Sequence, residues 1–179
     1  MQFSTDSQGR EEALIGLFTA TFSTSEGPDE GALIGDLVDK LLRDTPASDR
    51  FCCIAEEDGR LLGACVFSRM RFAQDQRRVF ILAPVAVASQ HQGRGIGQQM
   101  LTQGLDLLRN QGIDIVLTYG DPGYYSRVGF QPISTADAIP PLALQQPQGW
   151  LGQSLTDQTL TPLRGPSRCV PALNDPRYW

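Results

Sequence analysis

The sequence predicts a mixed α/β fold of the α+β type, in which helices flank a mostly antiparallel central sheet. Two segments with helical spacing of apolar residues come first, and three strand-like segments then follow one another without a helix between them. The chain has 179 residues, of which 41% are hydrophobic and 20% are charged, as in globular domains. We therefore expect residues 1–179 to form a single domain, with residues 132–179 as its Pro-rich C-terminal portion.

Two amphipathic helices are predicted at the start of the chain. Apolar residues recur every three or four positions in each of them, which places these residues on one face of a helix. The polar stretch Ser25–Asp29 separates the two segments. The residues that carry the pattern are Leu14, Leu17, Phe18, Thr21 and Phe22, and then Leu33, Ile34, Leu37, Val38, Leu41 and Leu42.

Three strands are predicted next. Phe51–Glu56 and Leu61–Met70 are apolar runs on either side of Asp58-Gly59, a pair that favours the tight turn of a β-hairpin. Val79–Ala88 is apolar throughout and contains Pro84, which has no N–H group for a sheet hydrogen bond. We expect a central strand there, with a bulge or an unpaired position.

Helix and strand alternate after the third strand. Apolar spacing predicts a third helix from Ile96 to Leu108, and Ile113–Thr118 is the next strand. Asp121-Pro122 is typical of an N-cap followed by the first helical residue, so a short helix is expected through Tyr125.

The last part of the chain, from Phe130 onward, is predicted to be extended and rich in loops. Eight of the 12 prolines lie at or after Pro132. We expect isolated strands there, such as Leu142–Leu144 or Arg168–Val170. The aromatic residues Trp150, Tyr178 and Trp179 either line a substrate pocket, form a subunit interface or cover a sheet edge.

The charge balance limits the class of partner. Lysine and arginine number 15 and aspartate and glutamate 20, which gives a net charge of -5. A chain with this charge lacks the positive field that binds nucleic acid or an anionic membrane surface, so neither partner is expected. The sequence also contains neither a signal-peptide profile nor a long apolar run.

The cysteines indicate a reducing, cytoplasmic location. They show no CxxC spacing, and the first three lie in strand-like apolar stretches, which is typical of reduced core residues. His91 is the only histidine, so a Cys/His dyad or a mixed Cys/His metal site lacks support, and no metal is expected. The four cysteines are Cys52, Cys53, Cys65 and Cys169.

A glycine-rich turn, Gln92–Gly97, lies between the third strand and the third helix. Three glycines allow successive backbone N–H groups to turn toward a phosphate, and the following helix adds a partial positive charge. A Walker loop is excluded because the only lysine, Lys40, lies far upstream. A Rossmann loop fits poorly because three strands precede the turn and Gln98 stands where the third glycine belongs.

The turn Gln92-Gly93-Arg94-Gly95-Ile96-Gly97 resembles the acyl-CoA loop of the GNAT superfamily of N-acetyltransferases, whose signature is Gln/Arg-x-x-Gly-x-Gly/Ala. The overlapping register Gln90–Gly95 also satisfies that pattern, and we prefer the later one because Gly97 then stands at the start of the helix. Leu82–Val87 resembles the strand that precedes the loop in this family.

Two further segments carry the resemblance. Tyr124–Phe130 is similar to the later aromatic-Tyr-x-x-x-Gly-Phe segment of the family. Gly120-Asp121-Pro122, together with Ser25-Glu26, is similar to the bacterial YhbS-like branch. The resemblance covers residues 13–132.

The resemblance implies acetyl-CoA (coenzyme A) as co-substrate. Its pyrophosphate would lie on the backbone N–H groups of Gln92, Gly93, Arg94, Gly95, Ile96 and Gly97. Its pantetheine arm would pair with the main chain of Val85, Ala86 and Val87, and the N–H of Val87 or a close neighbour would polarise the thioester carbonyl.

The resemblance also implies catalytic residues. Tyr125 matches the tyrosine that contacts the thiol and acts as the acid, and Tyr124 is its packing partner. Glu26 is our first choice for the base, with Glu30 or a water relay as alternatives, whereas Asp121 is more simply a helix cap. Cofactor-binding and catalytic roles both fall on Tyr125.

The function that follows is acetyl transfer from acetyl-CoA to a primary amine of a small molecule or a peptide, by direct nucleophilic attack. The first alternative is a non-catalytic acyl-CoA sensor or interaction module that keeps the loop without the chemistry. The second is a structural domain in which the glycines only turn the chain. A homodimer is left open.

Overall fold

The computed structural model describes residues 1–179 and contains eight strands and four α-helices. The strands are β1 (Gln2–Ser4), β2 (Arg50–Glu57), β3 (Arg60–Phe72), β4 (Val79–Val87), β5 (Ile115–Tyr119), β6 (Gln131–Pro132), β7 (Trp150–Ser154) and β8 (Ser167–Arg168). The helices are α1 (Glu11–Glu26), α2 (Pro28–Arg43), α3 (Ile96–Asn110) and α4 (Pro122–Tyr125). None of the helices combines the length and the apolarity that crossing a membrane requires.

The chain divides into two compact units. The first unit comprises Met1–Phe67 and Pro84–Gly104, and the second comprises Ser68–Ala83 and Leu105–Trp179. Strands β3 and β4 and helix α3 contribute residues to both units. The single domain expected over residues 1–179 stays a prediction.

The sheet of the first unit has the strand order β1-β2-β3-β4. Strand β1 runs antiparallel to β2, with Gln2 opposite Glu56. Asp58 and Gly59 join β2 to β3 with φ values of 49° and 75°, the left-handed conformation that a two-residue hairpin turn needs. The predicted hairpin is therefore confirmed.

Helices α1 and α2 approach each other closely at a glycine. A Cβ atom built on Gly31 would overlap Oγ of Ser23 and lie 2.6 Å from the carbonyl oxygen of Thr19. Gly27, with a φ of 104°, is the single residue between the two helices. The two predicted helices are confirmed, and the break between them is shorter than the polar stretch suggested because both helix ends extend into it.

Helix α3 lies against β2 and β3 in the first unit. The Cys53 thiol donates to the carbonyl oxygen of Met100 at 3.5 Å. A Cβ atom on Gly104 would lie 2.9 Å from Cε2 of Phe67, so the glycine allows the close approach of helix and sheet. The buried apolar positions of α3 include those from which its amphipathic pattern was predicted.

The sheet of the second unit has the strand order β3-β4-β5-β7-β6, and β8 pairs with β3. Strands β4 and β5 are parallel, with Val79 opposite Ile115 and Leu82 opposite Thr118. The pairs β5–β7, β6–β7 and β3–β8 are antiparallel. The predicted class, a mixed and mostly antiparallel sheet with helices, is confirmed.

Two strands have no counterpart in the sequence-based prediction. Strand β1 contains one apolar residue, Phe3, and so lacks an alternating pattern. Strand β7 contains Gly152, where a Cβ atom would lie 2.9 Å from a methyl carbon of Leu160 and 3.1 Å from one of Leu117. Gly152 is therefore needed for packing, whereas in a sequence pattern a glycine suggests a break in a strand.

The strand predicted at Leu142–Leu144 is wrong. It follows Pro140-Pro141, which have no N–H groups to donate, and the segment is irregular. The strand predicted at Arg168–Val170 lies slightly earlier, as the two-residue β8. Such short pairings have no apolar alternation from which a sequence could predict their bounds.

Candidate functional site

The turn between β4 and α3 has the backbone that its glycines predicted. Gly93 and Gly95 have φ values of 74° and 76°, in the left-handed region that favours glycine. A Cβ atom on Gly93 would meet no other atom within 4 Å, and one on Gly95 would meet only Nε2 of Gln99, at 3.8 Å. The space beside both glycines is therefore open to a ligand.

The same turn carries a run of backbone N–H groups without acceptors in the chain. It extends from Gly93 to Gln98, and the next amide, of Gln99, donates to the carbonyl oxygen of Gly95 at 3.1 Å. The first N–H groups of a helix have no acceptor within that helix, and they carry its partial positive charge. Consecutive unpaired amides at this place form a site that is suited to an anion.

The unpaired run overlaps the predicted donors, Gln92–Gly97, and begins one residue later; their role toward a pyrophosphate stays a prediction. The amide of Gln92 donates to the carbonyl oxygen of Ser89 at 3.4 Å, and its side-chain amide donates to the carbonyl oxygen of Val87 at 3.0 Å. Gln92 therefore holds the end of β4 against the turn. The amide of Gln98, which the sequence signature does not include, extends the run at its other end.

The side chain of Arg94, in the turn, contacts the side chain of His91, the residue just before the turn. A guanidinium nitrogen of Arg94 lies 3.1 Å from Nδ1 of His91. The His91 backbone is fixed by its own N–H, which donates to the carbonyl oxygen of Ala88 at 2.7 Å. The sequence pattern assigned no role to His91, because the loop signature begins one residue later.

The strand before the turn presents main-chain groups. Val85 and Val87 are half-buried, and Ala86 between them is buried. Strand β3 lies close to the main chain of β4 here, because a Cβ atom on Gly63 would lie 2.8 Å from the carbonyl oxygen of Ala86. The amide of the following residue, Ala88, donates to the carbonyl oxygen of Leu62 at 2.9 Å.

The parallel ladder between β4 and β5 ends early. Its last pair is Leu82 with Thr118, and the hydroxyl of Thr118 donates to the carbonyl oxygen of Leu82 at 2.9 Å. Pro84 follows within two residues of this end. Pro84 therefore lies in the part of β4 that is not paired with β5, in agreement with the unpaired position that the sequence predicted.

A groove of about 360 Å³ lies in the first unit. It is lined by one face of α1 from Ala13 to Thr24, by Leu61 and by Ala88–Gln90, which directly follow β4. The lining side chains are apolar or uncharged polar. Glu26, the last residue of α1, is exposed, lies outside this lining and has neither an ion pair nor a hydrogen bond through its side chain.

Tyr125 lies in the second unit, on the short helix α4. The carboxylate of Asp121 caps this helix by accepting from the N–H of Gly123 at 2.8 Å, as the sequence predicted. The ring of Tyr125 is half-buried and makes edge contacts with the rings of Tyr124 and Phe130, at centroid distances of 5.1 and 5.7 Å. These contacts restrict the orientation of the Tyr125 ring.

The thiols in the first unit are core groups. Cys52, Cys53 and Cys65 are free and buried. Burial, with a smaller effect of Cys53, raises the pKa of Cys52 to about 12, and burial raises the pKa of Cys65 well above its ordinary value. A hydrogen bond with Cys65 lowers the pKa of Cys53. All three side chains are buried, so the interpretation as core cysteines is confirmed. The structure contains no group of three or more His, Cys, Asp or Glu residues that could hold a metal ion.

Two of the three tail aromatic residues, Trp150 and Trp179, are buried, and Tyr178 is half-buried. Trp150 is buried and its ring N–H donates to the carbonyl oxygen of Ala138 at 2.9 Å. Trp179 is also buried, and its ring stacks on that of Tyr119 at a centroid distance of 6.4 Å. Trp150 belongs to strand β7 and its ring makes an edge contact with that of Trp179, at a centroid distance of 6.0 Å. The roles left open for the three residues stay predictions.

A comparison with known protein families matches residues 12–130 to the model described as the Acetyltransferase (GNAT) family. The chain belongs to the GNAT acetyltransferase family. The matched residues include the glycine-rich turn, β4 and Tyr125. Membership confirms the enzyme class that the sequence predicted, an N-acetyltransferase.

Curated relatives place this GNAT protein near two proteins of Escherichia coli (strain K12). It is 35% identical over 140 residues to "Uncharacterized N-acetyltransferase YjhQ", which is 75% of this chain and 77% of the relative. It is 34% identical over 76 residues to "Uncharacterized N-acetyltransferase YhbS", or 42% of this chain and 46% of the relative. The resemblance to the YhbS-like branch is confirmed.

Solved structures share the fold of this GNAT protein. YhbS from Escherichia coli in complex with CoA superposes with a TM-score of 0.81 at 23% identity, over 97% of this chain and 92% of that one. A GNAT acetyltransferase from Brucella melitensis in complex with acetyl-CoA gives a TM-score of 0.75 at 23% identity, over 97% of each chain. At this level of identity the likeness establishes the fold.

Proposed function

We propose that this chain moves an acetyl group from acetyl-CoA to a primary amine by direct attack, without a covalent enzyme intermediate. The observation that carries the proposal is the run of unpaired amides from Gly93 to Gln98 in a member of the GNAT family. The structures of YhbS with CoA and of the Brucella protein with acetyl-CoA support coenzyme A as the ligand.

The amide run is the proposed site of the pyrophosphate. A pyrophosphate offers several acceptor oxygens and a concentrated negative charge, which match consecutive N–H donors at the N-terminus of a helix. The chain carries a net charge of -5, and this run gives it a local anion site without a cluster of basic side chains. Gly93 and Gly95 keep the approach to it open.

The pantetheine arm is assigned to the main chain of Val85, Ala86 and Val87. The early end of the β4–β5 ladder supports this assignment, because it stops before these residues. The bond from Gln92 to the carbonyl oxygen of Val87 fixes the end of the strand relative to the turn. A ligand would thus contact the end of β4 and the glycine-rich turn, which this bond connects within the first unit.

In the transfer, the amine nitrogen attacks the thioester carbon, a C–N bond forms, and the C–S bond breaks as the sulfur takes up a proton. The protein must therefore stabilise the oxyanion, protonate the sulfur and accept the excess proton of the amine. We assign stabilisation of the oxyanion to the N–H of Val87 or a close neighbour, and protonation of the sulfur to the Tyr125 hydroxyl. The restricted ring of Tyr125 supports this role, because proton transfer requires a defined donor position.

The excess proton of the attacking amine needs an acceptor. We keep Glu26 as the first candidate, with Glu30 or a water relay as alternatives. The exposure of Glu26 and its lack of an ion pair support a carboxylate that is available to an incoming amine. The acceptor is proposed to be a small molecule or a peptide, and the acidic chain favours a cationic one. The free, buried thiols support a cytoplasmic location.

Calorimetric titration of the full chain with CoA and with acetyl-CoA tests the ligand. We expect saturable binding of both, and no binding at high micromolar concentration would overturn the proposal. Release of the CoA thiol across a panel of polyamines, amino sugars, amino acids and peptides then tests the chemistry. Binding without release on any amine would instead favour the non-catalytic sensor.

Variants separate the assigned roles. We expect Tyr125→Phe to lower kcat by about 100-fold or more, as for the loss of a general acid, with CoA affinity nearly unchanged. Glu26→Gln and Glu30→Gln form a matched pair that differs only in which carboxylate is removed. A loss of rate in the first alone supports Glu26, a loss in the second alone supports Glu30, and no loss in either supports the water relay.

A further inference from the structure

Arg94 is the single charged side chain of the unpaired amide run. Its guanidinium contacts Nδ1 of His91 at 3.1 Å, and it forms no ion pair with a carboxylate. In a chain with 20 acidic residues, this arginine therefore keeps its whole charge available for an incoming anion.

The contact has a defined direction. A guanidinium has donors only, so Nδ1 of His91 accepts from Arg94. An acceptor of this kind orients the arginine without neutralising it, which a carboxylate at the same place would do.

Arg94 has little else to orient it. It stands between Gly93 and Gly95, which have no side chains, and beside open space. A long arginine side chain in such surroundings loses rotamer freedom when a ligand fixes it. A partner that fixes the side chain beforehand removes part of that cost from binding.

His91 is itself held in place. Its N–H donates to the carbonyl oxygen of Ala88 at 2.7 Å, within the single helical turn Ser89–His91 that ends β4. The ring thus projects from a fixed point of the main chain, three residues before the arginine it contacts.

We propose that His91 is a positioning residue, which holds the Arg94 guanidinium beside the amide run for the pyrophosphate of coenzyme A. This inference rests on the proposed function. His91 acts through Arg94, and its effect on affinity depends on the presence of that side chain.

The test is calorimetric titration of CoA into the full chain, four variants of the turn region and one control variant. Loss of one charge-assisted contact at an exposed site predicts that Arg94→Ala weakens CoA binding by about fivefold. We expect His91→Phe, which removes the acceptor, to weaken it by about threefold to fivefold. The double variant His91→Phe/Arg94→Ala should bind no more weakly than Arg94→Ala alone.

The fourth variant, His91→Asn, provides the rescue. Its Oδ1 can accept from Arg94 at about the place of Nδ1, so its affinity should stay close to that of the wild type. Arg60→Ala is the matched control, because Arg60 is an exposed arginine of the first unit outside the turn, and it should leave affinity unchanged.

Three results would overturn the inference. The first is that His91→Phe binds CoA as tightly as the wild type. The second is that His91→Phe weakens binding by the same factor with and without Arg94→Ala. The third is that His91→Asn binds CoA as weakly as His91→Phe. A wild-type chain that does not bind CoA at all would overturn both this inference and the proposed function, whereas the other results leave the proposed function standing.

Discussion

The ring of Tyr125 occupies the space that a side chain on Gly120 would need. A Cβ atom built on Gly120 would lie 2.7 Å from Cε2 of Tyr125 and 3.5 Å from Cδ2. The glycine between β5 and α4 is therefore part of what determines the position of the tyrosine, together with the rings of Tyr124 and Phe130.

We predict that Gly120→Ala displaces the Tyr125 ring and lowers the acetyl-transfer rate. The added methyl group cannot be accommodated without movement of the ring, and overpacking of this kind costs about 1–3 kcal/mol of folding free energy. The rate should fall toward that of Tyr125→Phe, because the hydroxyl no longer lies where proton transfer needs it. Steady-state kinetics and urea unfolding of both variants measure the two effects, and an unaltered rate in Gly120→Ala would contradict the prediction.

We predict that Gly95→Glu abolishes CoA binding in a protein that still folds. The side chain has room, since only Nε2 of Gln99 lies within 4 Å, but it places a carboxylate beside the amide run. Residue 95 has a φ of 76°, which costs a non-glycine residue about 1–2 kcal/mol. Gly95→Ala is the control, because it has the same backbone strain without the charge.

Calorimetric titration with CoA distinguishes these two variants. Gly95→Ala should retain measurable affinity and Gly95→Glu should lose it, while circular dichroism confirms that both are folded. Equal affinities in the two variants would show that the carboxylate does not meet the ligand, and the assigned loop would then be wrong.

We predict that Gly31→Ala strongly destabilises the first unit. Its Cβ atom would overlap Ser23 and lie 2.6 Å from the carbonyl oxygen of Thr19, so α1 and α2 would have to separate. The expected loss is about 2 kcal/mol or more. Gly16→Ala is a matched control in α1, since its Cβ atom would meet nothing within 4 Å, and it should stabilise the helix by about 0.5–1 kcal/mol.

We predict that Asp75 makes stability depend on pH in the acid range. Its carboxylate accepts from the guanidinium of Arg77 at 2.6 and 2.9 Å and from the N–H of Arg164 at 3.1 Å. These bonds, with the Arg77 side chain as the largest cause, hold the pKa of Asp75 well below its ordinary value. The stabilisation is therefore complete above about pH 4 and is lost as pH falls toward the lowered pKa.

The variant Asp75→Asn should cost about 1–2 kcal/mol at pH 7, and its deficit relative to the wild type should shrink below pH 4. Urea unfolding at pH 7, 5 and 3 measures this difference. Asp157→Asn, an exposed aspartate without a partner, should change stability by less than about 0.5 kcal/mol at each pH. A deficit that grows on acidification would reverse the assigned sign.

The elements with strong periodicity were predictable from the sequence. Helices α2 and α3 each have a continuous apolar face, and the β2–β3 hairpin has a turn pair that tolerates positive φ at Asp58 and Gly59. Asp121 and Pro122 predicted the start of α4 in the same way, since a cap and a fixed φ are local properties. Each of these signals lies within a few residues of the structure it specifies.

The remaining features depend on contacts that are distant in sequence. Strand β7 forms because Trp150 and its neighbours pair with β5 more than 30 residues earlier, and Gly152 fits against side chains of other segments. The unpaired amide run begins at Gly93 because Gln92 bonds backward to Ser89 and Val87. A loop signature specifies residue types, and it does not specify which of its amides the chain itself will use.

The donors of the glycine-rich turn are peptide groups, and a peptide group is the same in nearly every residue. Alanine scanning across residues 93–98 would leave all of these donors in place and would report mainly on backbone freedom. Exchange of single amides for esters by chemical synthesis would delete them one at a time. Recognition that is built in this way withstands drift in the surrounding side chains, so distant homologues can retain the ligand after their loops have ceased to look alike.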